Sequence, residues 1–438
     1  MSKLKGINYK LYLSMLVFAF LPTIYSTLRI FYLGNIPNEW TFSIAGQLSW
    51  VSLLYEILTE AIILPLFFFI GKNIEKKDKI LNLVKTGLVI SFIPFFIVSS
   101  IIIAFPRQLL ELMAINPNII EETIPYIRLE AVANIFLILL LFVQTIIFSI
   151  KKEKYIYLLT FLRLILTIFL DTVFISNFNF SLKLGVNGIG YSNILLNLSL
   201  FILSLFILAK EDINIFKKIK LDFSWVKELA KIGGVSGLES FVRNIFYLIM
   251  ISRMVNVVNE QGTYWVANSF IWGWLLLPIL QLGELSKLEV SQDKDKFYNN
   301  ISSYFTLTVI ICSLWFITIP FWKGFMLHIL NFKEVDKLFD LVLLLSGFYI
   351  FFALQNVIDS IFYGIGKIQY ILCQSLVVNI VYYGIAFILY LKGYFSPSLK
   401  GIALLFGYGL IFDFIVSFIS YYILRKKEKV ISIISKYV

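Results

Sequence analysis

Long apolar segments separated by short polar ones recur along the whole chain, and they constrain its fold more than any other feature. About 20 mostly apolar residues suffice for a helix to cross the hydrocarbon core of a bilayer. Uninterrupted runs such as 201–208 predict helices, because the strands of a membrane barrel alternate between apolar and polar residues. Twelve segments are long enough, at 10–34, 44–71, 80–105, 123–150, 155–177, 186–209, 229–256, 262–286, 298–322, 337–365, 368–392 and 400–424. We therefore predict an all-α polytopic membrane protein with 12 transmembrane helices.

Composition excludes several other classes of protein. Of the 438 residues, 59% are hydrophobic and 15% are charged, whereas soluble domains have about 45–50% apolar and about 25% charged residues. The single histidine, His328, and the two cysteines, Cys312 and Cys373, do not supply a multi-histidine metal site or a disulfide framework. No GxxxxGK[ST] loop for ATP is present. With short loops as well, the sequence predicts that the protein is not an enzyme and needs no cofactor.

The net charge of +11 reflects membrane topology rather than nucleic-acid binding, because the basic residues lie in short clusters between apolar segments. If both termini are cytoplasmic, 25 Lys and Arg residues fall in inside segments and 7 in outside segments. Cytoplasmic loops of membrane proteins carry such an excess. We predict a multi-pass protein of the plasma (cell inner) membrane, with both termini cytoplasmic and the lipid bilayer as its main partner.

An internal repeat divides the chain into halves. The longest polar loop, 211–228, separates an N-terminal lobe (1–210) from a C-terminal lobe with a basic cytoplasmic tail (229–438). Ile30-Phe31-Tyr32-Leu33 recurs as Ile245-Phe246-Tyr247-Leu248. An even number of helices per half gives both halves the same orientation, so we predict two six-helix bundles related by a pseudo-two-fold axis along the membrane normal. Transporters built in this way bind substrate in the cleft between the bundles.

Five short motifs, in order along the chain, resemble those of the multidrug and toxic compound extrusion (MATE) family. They are Leu21-Pro22-Thr23-Ile24, Phe169-Leu170-Asp171-Thr172-Val173-Phe174-Ile175, Gly185-Val186-Asn187-Gly188-Ile189-Gly190, Gly233-Gly234-Val235-Ser236-Gly237-Leu238-Glu239-Ser240 and Gly364-Ile365-Gly366-Lys367. The family belongs to the multidrug/oligosaccharidyl-lipid/polysaccharide flippase superfamily. The resemblance implies a secondary transporter that exports organic compounds in exchange for H⁺ or Na⁺.

The sequence departs from the family pattern in two places. Many members carry an aspartate in the first span, where the only charge here is Arg29. Many members also place a carboxylate in the upper part of the tenth span, whereas Asp359 is predicted to lie lower, close to the cytoplasmic loop. The cation site of the family therefore cannot be transferred to this chain as a whole.

Ionisable groups at membrane depth are expensive, so those present are expected to face a cleft or to pair. Five carboxylates are candidates for cation coupling: Asp171, Glu239, Glu56, Glu60 and Asp359. Asp171 suits either Na⁺ or a proton, and Glu239 is the other option for Na⁺. Glu130 is predicted to lie near a span end, where its carboxylate can reach the interface.

Spacing suggests which groups pair. Glu56 and Glu60 are four residues apart and share one helix face, where they exchange a proton or are neutralised by Arg29 on the neighbouring helix. Glu239 and Arg243, also four apart, are predicted to form a local ion pair.

Six residues are candidates for the substrate cleft: Arg29, Arg243, Asn244, Arg163, Asn356 and Trp272. Asn356 lies one turn from Asp359 and is expected to offer a second oxygen there. Trp272 offers an aromatic face to a flat ligand, with plain packing as the alternative.

Two functions remain open from the sequence. The first is a monomeric, cation-coupled (H⁺ or Na⁺) antiporter that exports small organic substrates by alternating access between the lobes. The second is a flippase or exporter of an anionic lipid-linked or sugar-phosphate substrate, which the arginines at membrane depth favour because guanidinium matches phosphate.

Overall fold

The computed structural model describes residues 6–63, 65–66, 70 and 77–434, and every regular element in this part of the chain is helical. The helices are α1 (Tyr9–Gly34), α2 (Thr41–Gly46), α3 (Leu48–Leu58), α4 (Lys77–Ala104), α5 (Pro106–Leu112), α6 (Ile120–Ser149), α7 (Glu153–Phe174), α8 (Asn187–Lys210), α9 (Val226–Tyr247), α10 (Arg253–Val257), α11 (Gln261–Phe270), α12 (Leu277–Gln292), α13 (Lys294–His328), α14 (Val335–Gly364), α15 (Ile368–Leu376), α16 (Gly384–Leu391) and α17 (Leu399–Ile434). Four π-helical turns extend or join them, at Thr59–Ile63, Leu248–Ser252, Ile271–Leu275 and Val377–Tyr383.

Ten helical segments of the described chain are long and apolar enough to cross a membrane, and a bent pair supplies an eleventh. Each coincides with one predicted span. The remaining predicted span, 44–71, begins within α2 and contains α3 and the turn Thr59–Ile63. Part of it lies outside the described residues, as does the end of the basic tail 425–438. The all-α class is therefore confirmed for the described residues, whereas the count of 12 and the two-bundle arrangement stay predictions.

The predicted span 262–286 is not one straight helix. It consists of Gln261–Leu275 and Leu277–Gln292, whose axes differ by 54°. The bend has a local cause, because Pro278 in the first turn of α12 has no backbone N–H to donate to the preceding turn. The π-helical turn Ile271–Leu275 comes directly before the break.

The helices pack into two compact units. One unit contains residues up to Ile24 together with Val266–Val438, and the other contains Tyr25–Trp265; they are called here the Val266 unit and the Tyr25 unit. In the Tyr25 unit, α6 packs along both α4 and α8. In the Val266 unit, α14 packs against α12, α13 and α17. The predicted lobes, 1–210 and 229–438, follow the repeat rather than this packing, and they stay a prediction.

Many large apolar side chains remain on the outside of the helices. Phe169, Ile317 and Leu391 are among them, and all three are exposed. With the span-length helices, these side chains identify a multi-pass membrane protein, since lipid can cover such surfaces. Both cysteines are free: Cys312 is buried, and Cys373, on α15, is exposed.

Candidate functional site

A buried ion pair joins α1 and α7 within the Tyr25 unit. The Arg29 Nε atom donates to Asp171 Oδ2 at 2.7 Å, and an Arg29 terminal nitrogen donates to Asp171 Oδ1 at 3.0 Å. The Asp171 residue is 1% exposed. This two-point contact fixes the orientation of both groups, as planar guanidinium and carboxylate groups allow.

A second carboxylate joins this ion pair through an amide. Asn193, on α8, accepts a hydrogen bond from Arg29 at 3.1 Å and donates one to Glu130 Oε1 at 2.8 Å. Glu130, on α6, is 2% exposed. The predicted position of Glu130 near a span end is therefore wrong. The span begins at Pro117 rather than at 123, which places Glu130 about 20 Å along the helix from its start.

The four side chains Arg29, Asp171, Asn193 and Glu130, called here the Arg29 cluster, do not balance in charge. One guanidinium faces two carboxylates, and Arg29 makes its direct contacts with Asp171 rather than with Glu130. A buried charge without a partner is costly. A proton or a small cation at Glu130 removes this excess. One turn further along α8, the buried Asn197 Oδ1 has no hydrogen-bond partner, so a further oxygen is available on the same helix face.

A second arginine within a span, Arg243 on α9, contacts three carboxylates. Arg243 donates to Glu56 Oε1 at 3.0 Å, to Glu60 Oε1 at 2.9 Å and to Glu239 Oε1 at 3.2 Å. The expected Glu239–Arg243 pair is therefore present. The expectation that Arg29 neutralises Glu56 or Glu60 is wrong, because Arg243 does so.

These four residues, the Arg243 cluster, differ from the Arg29 cluster in exposure. The side chains of Arg243 and Glu56 are 40% and 39% exposed, so their ion pair is screened and contributes less to stability than a buried one. Three carboxylates against one guanidinium leave an excess of negative charge that attracts a cation. Asn244 supports the cluster: its amide donates to Ser240 Oγ at 3.2 Å and to the Leu53 carbonyl oxygen on α3 at 3.4 Å, and its oxygen accepts from Arg243 at 3.3 Å.

Close helix packing holds the Arg243 cluster together. Ser236 Oγ donates to the Glu60 carbonyl oxygen at 2.8 Å. A Cβ atom placed on Gly233 would come within 1.9 Å of the Ala61 carbonyl oxygen, and one on Gly237 within 2.7 Å of Ala61 Cβ. These two glycines therefore serve helix packing. Gly234 faces open space, because a Cβ atom added there would have no neighbouring atom within 4 Å.

Adjacent glycines allow a matched test of this packing. Gly233→Ala is expected to lower the free energy of unfolding by about 1–3 kcal/mol, because the methyl group forces α9 away from Ala61. Gly234→Ala is expected to leave stability unchanged or raise it by up to about 1 kcal/mol, since alanine favours a helix and meets no neighbour. Thermal unfolding of the purified variants measures both. Equal effects at the two positions would contradict the close approach.

A cavity of about 400 Å³ lies beside Glu60 in the same unit. Its wall is mainly apolar, with Leu141, Phe148 and Ile156 among its members, and Glu60 and Gln144 add polar groups. This size falls within the range of sites for small organic molecules. The cavity combines an apolar surface with access to a carboxylate of the Arg243 cluster.

Three of the remaining candidates belong to the Val266 unit, apart from both clusters. Asp359 accepts hydrogen bonds from Ser417 at 2.8 Å and Gln355 at 3.1 Å. Asn356, expected beside Asp359, instead donates to the Ile279 carbonyl oxygen at 3.0 Å. Trp272 donates to the Tyr349 hydroxyl at 3.1 Å and packs edge-to-face on its ring.

Arg163, in the Tyr25 unit, interacts with the Tyr25 hydroxyl and not with Asp171 eight residues further along α7.

The sequence-predicted residues are thus divided among three places, and the residues that sequence reasoning missed are Asn193 and Glu130. The only available signal was a polar amide or acid within an apolar span, which does not identify a partner.

Comparison with known proteins identifies the fold that carries these clusters. No protein-family model matches the sequence, and no curated protein matches it. Among solved structures, the chain is similar to an outward-facing multidrug resistance MATE family transporter of the MOP superfamily, with 17% identity, a TM-score of 0.70 and coverage of 98% of both chains. It is also similar to an inward-facing transporter of that description, with 16% identity, a TM-score of 0.70, and coverage of 98% of this chain and 96% of the other.

A third similar structure is a MOP superfamily transporter from Pyrococcus furiosus, with 16% identity, a TM-score of 0.66 and coverage of 97% of both chains. It is described by the reversed polarity of its binding pocket, which suggests a different function. The chain therefore has the fold of MATE transporters of the MOP superfamily, as the sequence resemblance implied. Identities this low establish the fold alone.

Proposed function

We propose that this protein is a cation-coupled antiporter of the MATE type, which exports small organic compounds in exchange for H⁺ or Na⁺. The observation that carries the proposal is the Arg29 cluster, in which two carboxylates that are 1% and 2% exposed share one guanidinium. Binding of one positive charge stabilises a cluster of this composition electrostatically, and release of that charge removes the stabilisation. The similarity to efflux transporters over the whole fold supports the same function.

Within this cluster the two carboxylates take different roles. Asp171 is held by Arg29 through two hydrogen bonds, so it orients the guanidinium and stays charged. Glu130 accepts its hydrogen bond from the Asn193 amide, which is an uncharged donor, so Glu130 is the group that exchanges a proton or meets Na⁺. Coupling then requires that the cation and the substrate favour different conformations of the protein.

The substrate side of the proposal rests on the Arg243 cluster and the adjoining cavity. An apolar organic molecule of moderate size fits about 400 Å³. Three carboxylates around Arg243 favour a positively charged group at its edge. We therefore favour a cationic or neutral organic compound over an anion.

An anionic lipid-linked or sugar-phosphate substrate is the alternative, and the arginines supported it in the sequence. Arg29 and Arg243 are both engaged by carboxylates, which reduces that support. The fold does not decide between a cationic and an anionic substrate, because a similar transporter has a pocket of reversed polarity.

Efflux from everted vesicles tests the proposal. Export of a fluorescent organic cation is expected to depend on an imposed pH or Na⁺ gradient, and Asp171→Asn and Glu239→Gln are expected to reduce it by about tenfold or more, because each loses a charge that a cluster needs. Asp336→Asn, whose side chain is 87% exposed, is the control and should transport normally. Full gradient-driven transport by both variants would refute the site assignment.

The clusters of Lys and Arg support a plasma-membrane location with both termini cytoplasmic, and we propose the monomer as the functional unit. We expect no enzymatic activity and no cofactor apart from the coupling ion. Protease accessibility of tags at both termini, in intact cells and in everted vesicles, measures the topology. Cleavage in intact cells would contradict it.

A further inference from the structure

The loop between α8 and α9, residues 211–225, is fixed to the Tyr25 unit at both of its ends. At its start, Glu211 pairs with Lys152 at 2.6 Å, directly before α7. At its end, the Trp225 Nε1 atom donates to Thr86 Oγ1 on α4 at 3.1 Å. The loop therefore follows a defined path along the ends of two spans instead of extending into solvent.

The middle of the loop is held against the first turns of α4. Asn82 Nδ2 donates to the Asp222 carbonyl oxygen at 2.8 Å, and the Asp222 N–H donates to Asn82 Oδ1 at 2.9 Å. The Lys85 ammonium group donates to the Lys217 carbonyl oxygen. The span begins at Lys79, so Asn82 and Lys85 lie within about 10 Å of its end. The loop therefore lies at the membrane surface, on the side that the proposed topology makes cytoplasmic.

Apolar side chains of the loop point in two directions. Ile213 and Ile215 pack against the apolar core of the unit. Phe216 instead is 82% exposed, the highest value among the large apolar side chains of the described chain. Leu221 and Phe223 are exposed as well. Removal of such side chains from water is favourable, and the interface between water and bilayer is where aromatic residues are enriched in membrane proteins.

Positive charge accompanies Phe216 without a balancing carboxylate. Lys217 and Lys218 follow it directly along the chain, and both are exposed. Lys85 reaches the loop through a carbonyl oxygen, which carries no net charge. Within the described residues, no carboxylate forms an ion pair with Lys85, Lys217 or Lys218. Lys220 differs from these three, because it lies near the Asp222 carboxylate.

We infer that Lys85, Lys217, Lys218 and Phe216, called here the loop patch, bind an anionic phospholipid of the cytoplasmic leaflet. The lipid phosphate supplies the negative charge that the ammonium groups lack. Phe216 enters the boundary between headgroups and acyl chains, where its ring leaves water. A free phosphate ion would balance the charge but would leave Phe216 uncovered, so a lipid fits this surface better. The inference depends on the proposed topology and not on the transport mechanism.

Thermal unfolding of the full-length protein in nanodiscs tests the patch, with phosphatidylglycerol replacing phosphatidylcholine in increasing proportion at constant ionic strength. The unfolding temperature is expected to rise with phosphatidylglycerol and to saturate, as ligand binding to the folded state requires. Lys85→Gln/Lys217→Gln/Lys218→Gln is expected to weaken the apparent affinity for phosphatidylglycerol by about tenfold or more, because each ammonium group contributes to the attraction. Glutamine keeps a hydrogen-bond donor at position 85, so the contact with the loop is preserved.

A second triple variant provides the matched control for net charge. Lys183→Gln/Lys333→Gln/Lys392→Gln removes the same charge from three exposed lysines in predicted outer segments, and it should keep the wild-type response. A response that survives in the loop variant, or that disappears in the control variant, would overturn the inference. Equal stabilisation by inorganic phosphate in pure phosphatidylcholine nanodiscs would also overturn it, since it would indicate a site for a free anion.

The depth of position 216 is a second, independent measurement. Phe216→Cys/Cys373→Ser leaves one exposed thiol for a polarity-sensitive dye, because Cys312 is buried. Its emission is expected to shift to shorter wavelength when phosphatidylglycerol is added and to return at high salt, which screens the attraction. A dye that stays in water in both lipids would contradict the inference. Glu130→Gln should keep the response to phosphatidylglycerol, so failure of the coupling proposal and failure of the lipid proposal are distinguishable.

Discussion

Glu130→Gln is expected to abolish gradient-driven export while the protein stays folded. The substitution keeps the shape of the side chain and its contact with Asn193, but it removes the charge that makes the Arg29 cluster bind a cation. A cation that no longer distinguishes the two conformations cannot drive exchange. Export of an organic cation under a pH or Na⁺ gradient should fall by about 100-fold or more, toward the rate without a gradient.

A glutamate on the same helix provides the matched control. Glu121 is also on α6, but its side chain is 70% exposed and pairs with Arg107, so Glu121→Gln should leave export unchanged. Substrate binding by Glu130→Gln, measured without a gradient by quenching of intrinsic fluorescence, should persist. Normal coupling in Glu130→Gln would exclude this carboxylate as the exchanging group, even if Asp171→Asn were inactive.

Arg29→Met is expected to cause the largest loss of stability among these single variants. It leaves the buried Asp171 without its guanidinium, and the Arg29 cluster then holds two buried carboxylates and no cation. Removing one partner of a buried ion pair costs about 3–5 kcal/mol. The measurement is the free energy of unfolding in detergent, or the unfolding temperature where unfolding is irreversible.

The double variant Arg29→Met/Asp171→Leu should recover much of that loss, because well-packed apolar residues can replace a buried ion pair at little cost. Arg243→Met provides a comparison at a site that is 40% exposed, and its effect should be clearly smaller. If Arg29→Met lowers the free energy of unfolding no more than Arg243→Met does, the buried ion pair with Asp171 does not contribute the stability expected of it. Failure of the double variant to recover would indicate a role for Arg29 beyond charge pairing.

The fold was largely predictable because membrane-spanning helices need long apolar runs, which are visible in the sequence. The predicted segment 155–177 corresponds to α7, and 186–209 corresponds to α8. The break at Pro278 was harder to predict. A proline can kink or end a helix, and only packing decides which.

The candidate site was predictable only where it is local. Glu239 and Arg243 are four residues apart on one helix, so helix geometry alone brings them together. The partners of Arg29 come from α6, α7 and α8, and their meeting depends on the rotation of each helix about its axis, which apolar periodicity does not determine when lipid-facing and buried residues are both apolar. Glu130 was misplaced for a simpler reason: the helical segment begins before the apolar run. A short 3₁₀ helix, Pro117–Ile119, leads into α6, whose first turn contains the polar residues Glu121 and Glu122.

The free thiol on α15 makes this membrane protein convenient for spectroscopy. Cys373 is exposed and directly precedes Gln374, whereas the chain's other thiol is buried. A membrane-permeable maleimide dye should therefore attach at one native position without engineering. That dye would sit beside Gln374, whose amide bridges the Asp359 and Asp413 carboxylates, so its emission would report movements of α15 at these groups.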